Sequence, residues 1–501
     1  MRAEIRKSIV PGSKRKGTSG RVLIALLGVG VPWGICSVSI LFGGGGSQLV
    51  AIDAMMGCFV LLAIGYLSLY GLSGLAWCSV PVLLTLYALV TFIAMPAWRF
   101  AAGYDLVDSL YVHAMFLTLI GLTAFWIGSL AVKKEMRMQF VPRARRTSSR
   151  VAFMSGMMLV LGVGAKLVMW RTGLFSYIAD PELRESSLWF IQWLAFLGNL
   201  LDAALIVSAI EVLGKRSAGP FMKIVFWLSV VFSIGFGVIS GMKGEILHPL
   251  LSLMFIYGIT NRRIHRIAYL FFLLPVLIYP FSNAYRYNLS KGYGAQVNTI
   301  EGLEAVLEKS LDDVVASPFT RSKVVSQGFD DTTSRFSYLT YVRDIISLPD
   351  PSLLKGDENI WLAPLYPLVP RVLWKDKPVF NKGLRLTAAK GRPANSSSAL
   401  TPIGDLDSMY GTSGVVVGMF LYGICLQMYM NWVANKAISE RRLFVYISML
   451  AILINLEADV VGYLQGAVQF GVVFMLMSYV IYGRSILSLR VAKCPSPIGA
   501  L

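Results

Sequence analysis

Apolar runs alternate with short polar links along most of the chain, at 22–42, 49–70, 75–97, 108–132, 151–170, 187–212, 223–242, 245–260, 267–283, 412–432, 443–458 and 461–482. Most approach the ~20 residues that carry a helix across the ~30 Å hydrocarbon layer. The pattern predicts an all-α polytopic membrane protein of about twelve spans. One long polar segment, 284–411, interrupts the series between the ninth and tenth spans. It divides the chain into an N-terminal bundle (1–283), a loop (284–411), and C-terminal spans with a tail (412–501). Within the loop, apolar residues at 303, 306, 307, 311, 314 and 315 recur at helical spacing. They predict an amphipathic helix over 299–317, suited to rest on the spans or the membrane. A second such segment covers 333–348 and holds Arg335 and Arg343, roughly 80° apart on a helix.

Charge changes the picture more than composition does. The net charge of +18 suits nucleic acid at first sight, but its distribution points elsewhere. With the N-terminus in the cytoplasm, the inner segments are 1–21, 133–150, 213–223, 261–266, 433–442 and 483–501. They hold 26 Lys and Arg against three acids, Glu4, Glu135 and Glu440. The inside thus carries +23 and the remainder −5, as the positive-inside rule requires. The charge is a topology signal for a membrane protein with both termini cytoplasmic and 284–411 on the outer side, and nucleic acid needs no invoking. The first apolar run exceeds the ~7–15 residues of a signal-peptide core and lacks an A-x-A site, which predicts an uncleaved span. The five cysteines fall in spans or the tail, so no disulfide framework is expected in the loop. His113, His248 and His265 are too scattered for a histidine-rich metal site.

Several polar residues call for chemistry. Lys166 and Asp202 lie inside predicted spans at similar depth, where an ion pair between neighbouring helices is expected; intramembrane ionisable groups are costly and point to function or to such a pair. The run SGMKGEILH (240–248) places Lys243 and Glu245 at a glycine-containing turn. The run YPFSNAYRYNLSKG (279–292) places Arg286 between two tyrosines at the membrane boundary, as an interfacial anchor or a phosphate ligand. The stretch Pro364–Gly418 carries Arg371, Lys375, Lys377, Lys382, Arg385, Lys390 and Arg392 on a backbone stiffened by Pro364, Pro367, Pro370 and Pro378. Cations held on a rigid loop beside a membrane are what a phosphorylated lipid needs.

The run PLVPRVLWKDKPVFNKG (367–383), followed by TPIGDLDSMYGTSGVVVGMFLYGI (401–424), resembles the O-antigen repeat-unit polymerase (Wzy) family. That family often has Pro-Arg-x-x-Trp-x-x-Lys-Pro in a large periplasmic loop, then a Gly-acidic segment and Gly-x-x-Gly entering the next span. Arg286 after the preceding span and the Gly-x-Lys-Gly turn at Lys243 fit as well. Lys243 stands where arginine is commoner in the family, and Asp405 where glutamate is. The resemblance implies a GT-C-like, metal-independent glycosyltransferase with no cofactor. Its donor would be a glycan on undecaprenyl pyrophosphate, and its acceptor a new lipid-linked repeat unit. Further partners would be membrane lipids and, from the same pathway, a chain-length regulator and a flippase.

The chemistry fits the residues independently. Leaving-group charge on the pyrophosphate is stabilised by cations, above all by forked guanidinium groups. Arg371 and Arg286 are the catalytic cations expected. Lys243, Arg335, Lys375, Lys377, Arg385 and Tyr410 are expected to bind pyrophosphate or glycan. Asp405 is the leading base for the acceptor hydroxyl and Asp376 the second; Asp405 has the alternative of a helix cap or an ion pair with a loop cation. A transporter or flippase and an O-antigen ligase are the competing readings. Against a transporter stand the uneven placing of the long loop, nine spans before it and three after, and the lack of an internal repeat.

Overall fold

The computed structural model describes residues 46–70, 78–134, 140–141, 148–175, 188–214, 218–261, 281–282, 284–289, 299–315, 336–354, 362, 365–366, 369, 374, 382–391, 399–434 and 438–483. Among these residues no β-strand occurs, and eight helices are long and apolar enough to cross a membrane. They correspond to the expected spans at 49–70, 75–97, 108–132, 151–170, 187–212, 223–242, 412–432 and 461–482. Two expected spans, 22–42 and most of 267–283, lie outside the described residues. The other two are helices of a different kind. Residues Lys243–Asn261 carry Lys243, Glu245, His248 and Pro249 in their first two turns. Residues Glu440–Leu453 number 14, which is about 21 Å of helix and short of the hydrocarbon thickness. The chain divides into two compact units.

The first unit comprises 1–133, 333–354 and 382–427. Its spans are α1 (Ser47–Tyr70), α2 (Val80–Ala101) and α3 (Ser109–Ala131). The expected uniform helix over 75–97 is interrupted by a π-helical segment at Leu89–Ala94. Pro96 explains it: the ring crowds the carbonyl of Phe92 four residues back, and an i→i+5 turn relieves the clash. The N-cap of α3 is Asp108, which accepts from the Tyr111 N–H at 2.9 Å. At the other end of α1, Lys133 donates to the Leu69 carbonyl at 3.0 Å and to that of Tyr70, supplying cations to a helix C-terminus.

The expected span at 412–432 is the second part of a longer helix, α12 (Pro402–Val433), broken at Gly411. Gly411 has φ 65° and ψ −165°, a conformation open essentially to glycine alone. There the chain folds back, so that Gly414 and Gly418 lie against Tyr410 and Leu406. A Cβ on Gly418 would stand 2.6 Å from the Leu406 methyls. Glycines also bring α3 and α12 to backbone contact: a Cβ on Gly128 would overlap the Phe420 carbonyl, and one on Gly423 that of Phe125, each at 2.1 Å. Small residues at such crossings are how helices pack in lipid, where no hydrophobic force drives them together.

The rest of this unit includes three short elements. They are α10 (Tyr338–Ile346), a 3₁₀ turn (Pro351–Leu354) and α11 (Lys382–Ala389). Ile345, Leu348, Leu354, Leu386 and Leu400 bury their side chains together and hold these elements to one another.

The second unit comprises 134–332, 355–381 and 428–501. Its helices are α4 (Ser149–Arg171), α5 (Leu188–Gly198), α6 (Leu200–Gly214), α7 (Pro220–Ser240), α8 (Lys243–Asn261), α9 (Ile300–Val315), α13 (Glu440–Leu453) and α14 (Val460–Tyr482). Helix α6 is its centre: Leu201 and residues 203–210 are all buried. A helix apolar all round can satisfy itself only inside a bundle. Helix α9 realises the expected amphipathic segment, with Leu303, Val306 and Leu307 packed on Phe281, Tyr285 and Leu289.

Candidate functional site

In the second unit, two polar sequences predicted to bind anions meet at one turn. Helix α7 ends at Gly241, whose φ of 64° is left-handed and favours glycine. The Gly241 carbonyl accepts from Arg286 Nε at 2.8 Å and from Ser282 Oγ at 3.0 Å. The Tyr285 hydroxyl donates to the Ile239 carbonyl at 3.0 Å, and its ring lies where a Cβ on Gly241 would stand, at 3.0 Å. Burial pushes the Tyr285 phenol up, so it stays a neutral donor. Lys243 follows two residues later as the first residue of α8. Arg286 thus holds the turn two residues before the N-terminus of a 19-residue helix, an end that favours anions. Helix α9 supports the segment from behind: Asn288 donates to Ser310 Oγ at 3.1 Å and to Asp313 Oδ2 at 3.0 Å.

Arg371, Lys375, Lys377 and Asp376 lie outside the described residues, as does Arg335. Two described residues flanking Arg371 are informative. Tyr366 and Trp374 meet edge to face at 5.3 Å and pack on Val461, in the first turn of α14. Tyr366 and Trp374 are thus seated on the end of a span.

In the first unit, Asp405 stands in the first turn of α12 and is fully buried. Lys382, the first residue of α11, donates to its Oδ1 at 2.8 Å and reaches the Met409 sulfur at 3.4 Å. Of the alternatives open for Asp405, the structure realises an ion pair with a loop cation. Arg385, one turn along α11, reaches the Leu354 carbonyl at 3.4 Å. Tyr410 is 51% exposed, immediately before the break at Gly411.

Partners that sequence spacing did not reveal complete both sites. Lys166, expected to pair with Asp202, donates instead to Glu245 Oε2 at 2.9 Å, and Asp202 acts on it at longer range. Arg343, on the second amphipathic segment, grips Asp108 through Nε at 3.1 Å and Nη2 at 2.5 Å, with its guanidinium 4.8 Å from the Tyr111 ring centre. This hydrogen bond, more than any other influence, holds the Asp108 carboxyl below the usual carboxylate range. Arg99 and Asp105 form a forked pair at 2.7 and 3.1 Å. No local pattern announces such partners, because each lies on another element or at irregular spacing.

No curated protein and no solved structure matches the chain. A family model does: residues 195–487, more than half of the chain, match the domain of unknown function DUF8712. That region holds α6, the Gly241 turn, Arg286, Arg371 and the Lys382–Asp405 pair, and by this match the chain belongs to the DUF8712 family.

Proposed function

We propose that this protein is a GT-C-like glycosyltransferase of about twelve spans that polymerises oligosaccharide repeat units carried on undecaprenyl pyrophosphate. The product would be an O-antigen, capsule or exopolysaccharide made at the periplasmic face of a bacterial inner membrane. The observation that carries this reading is the junction of Arg286 with the Gly241 turn, two residues before Lys243 at the N-terminus of α8. A cation, a helix N-terminus and a second cation at one end of a bundle suit a pyrophosphate at headgroup level.

In the reaction, the acceptor hydroxyl oxygen bonds to the anomeric carbon of the donor. The bond from that carbon to the pyrophosphate oxygen breaks, and the electron pair stays on the leaving group. Arg286, Lys243 and Arg371 stabilise the charge that develops there. The hydroxyl proton goes to a carboxylate, and Asp405 and Asp376 compete for that role. Asp405 serves only when Lys382 releases it, because the pair encloses it. Asparagine at each position separates the two: the true base variant folds and inserts but does not polymerise.

Loss of the gene product tests the reading. Single repeat units accumulating on lipid carrier at the periplasmic face support a polymerase, whereas long chains left on carrier indicate a ligase. A flippase is the second reading, favoured by Lys166 and Asp202 inside the spans with Glu245 bonded to the lysine. It predicts repeat units trapped on the cytoplasmic face. Labelling a cysteine at Ser397 from outside spheroplasts tests the topology, and reaction only after lysis would refute a periplasmic loop.

A further inference from the structure

In the first unit, the side chains with polar groups between Asp405 and Ser413 divide into two sets. Asp405, Ser408 and Ser413 are satisfied within the protein. Asp405 is paired with Lys382 at 2.8 Å, Ser408 Oγ donates to the Asp405 carbonyl at 2.8 Å, and Ser413 Oγ to the Tyr410 carbonyl at 3.1 Å. Asp407, Tyr410 and Thr412 make no side-chain hydrogen bond or ion pair among the described residues. His113 of α3 acts on Asp407 electrostatically without being bonded to it. The second set is also the accessible one: Asp407 is half-buried, while Tyr410 and Thr412 are exposed.

The backbone under these groups is held in place. A Cβ on Gly404 would stand 2.5 Å from Ile345 Cδ1, and the Gly404 N–H donates to Thr401 Oγ1 at 3.2 Å. Asp407 and Tyr410 are three residues apart in the helical stretch before Gly411, so they share a face, with Cβ atoms about 5–6 Å apart. Beyond them lies open space, since a Cβ on Gly411 would meet nothing within 4 Å.

A half-buried carboxylate has given up part of its hydration and favours a ligand that brings donors. Its charge decides which ligand. Pyrophosphate oxygens are acceptors of like charge and are repelled. A bound cation needs several oxygen or nitrogen ligands, and no group of three His, Cys, Asp or Glu residues gathers among the described residues. Sugar hydroxyls suit all three side chains. Neighbouring hydroxyls offer two donors to the two carboxylate oxygens, the sugar's C–H face lies on an apolar tyrosine ring, and the Tyr410 and Thr412 hydroxyls donate or accept at its rim.

We infer that Asp407, Tyr410 and Thr412 form a subsite for the non-reducing sugar of the acceptor glycan. That sugar lies at the far end of its repeat unit from the pyrophosphate, and so reaches Asp407 without bringing that charge. The inference rests on the glycan reading above and narrows the expectation for Tyr410, from pyrophosphate or glycan to glycan alone.

The test uses the full chain in lipid nanodiscs. The probe is repeat-unit oligosaccharide from cells lacking the protein, freed of lipid and pyrophosphate by mild acid. Calorimetric titration is expected to show binding weakened about 10–100-fold in Asp407→Asn, through loss of charge-assisted hydrogen bonds. Tyr410→Leu is expected to lose about tenfold, whereas Tyr410→Phe keeps the ring and most of the affinity. Inorganic pyrophosphate is expected to bind Asp407→Asn at least as well as wild type. In polymer formation the two weakened variants are expected to raise KM for acceptor with little change in kcat, the mark of lost uniform binding. Wild-type affinity for the oligosaccharide in Asp407→Asn overturns the subsite and leaves the glycan reading standing. A wild-type protein that binds no oligosaccharide overturns the glycan reading and the subsite with it. If Asp407→Asn does not fold, Tyr410→Leu decides in the same way.

Discussion

Lys382 and Asp405 form an ion pair at 2.8 Å with side chains 4% and 0% exposed. Two charges so enclosed depend on each other, since removing one leaves the other buried and uncompensated. The pair therefore fastens α11 to the first turn of α12.

Lys382→Met and Asp405→Asn are each expected to destabilise the protein, the methionine variant by about 3–5 kcal/mol. The double variant Lys382→Met/Asp405→Leu is expected to recover most of the loss, because it buries no charge. Thermal unfolding of the purified single and double variants checks this. Independent, additive losses would show that the two side chains are not coupled.

At Gly411 the expected cost comes from the backbone. Alanine cannot adopt φ 65° with ψ −165° without strain of about 1–3 kcal/mol. Gly418→Val adds a clash with the Leu406 side chain. Both are expected to lower the unfolding midpoint, Gly418→Val being relieved in part by Leu406→Ala. Unfolding curves of the three variants measure it, and a Gly411→Ala protein as stable as wild type would show that the bend is not needed.

Arg286→Lys and Arg371→Lys test the proposed chemistry. Each keeps a charge and loses the guanidinium fork, so losses of about 100–1000-fold in polymer formation are expected at matched protein levels. Arg286→Lys also lacks Nε, whose bond holds the Gly241 carbonyl. If lysine serves as well as arginine at both positions, these residues are membrane anchors and the pyrophosphate site lies elsewhere.

The Asp108–Arg343 pair predicts an acid-labile joint. The carboxyl is held below its usual range, chiefly by the hydrogen bond from Arg343. A depressed pKa contributes stability above the unfolded value of ~3.9, and that stability is lost as pH falls through the folded value. Docking of α10 is therefore expected to persist near neutrality and weaken below about pH 4. Hydrogen exchange of residues 338–346 reports it, and Asp108→Asn should abolish the pH dependence while retaining the N-cap.

Eight of the twelve expected spans were legible in the sequence because they are decided locally. Each apolar run answers to the surrounding hydrocarbon, and Asp108, Ser148 and Asp459 cap helices where a polar residue precedes the run. The amphipathic helix α9 was legible for the same reason. The run of Gly411, Gly414 and Gly418 marked the start of a span. Only the tertiary structure showed why each position needs glycine: Gly411 for its backbone conformation, Gly414 and Gly418 because Tyr410 and Leu406 fold back on them.

Partner choice was beyond the sequence. Lys166 stands 79 residues from Glu245, Lys382 stands 23 from Asp405, and Arg343 stands 235 from Asp108. A buried charge states that a partner must exist, but which opposite charge reaches it depends on helix rotation and crossing. Those are set by packing over the whole bundle: glycines that admit a neighbouring backbone, and the π-helical segment before Pro96. The sequence by itself determined that ionisable groups lie among apolar helices. The fold alone decided that Lys166 faces Glu245 as well as Asp202, because lateral contacts between helices leave no trace in local periodicity.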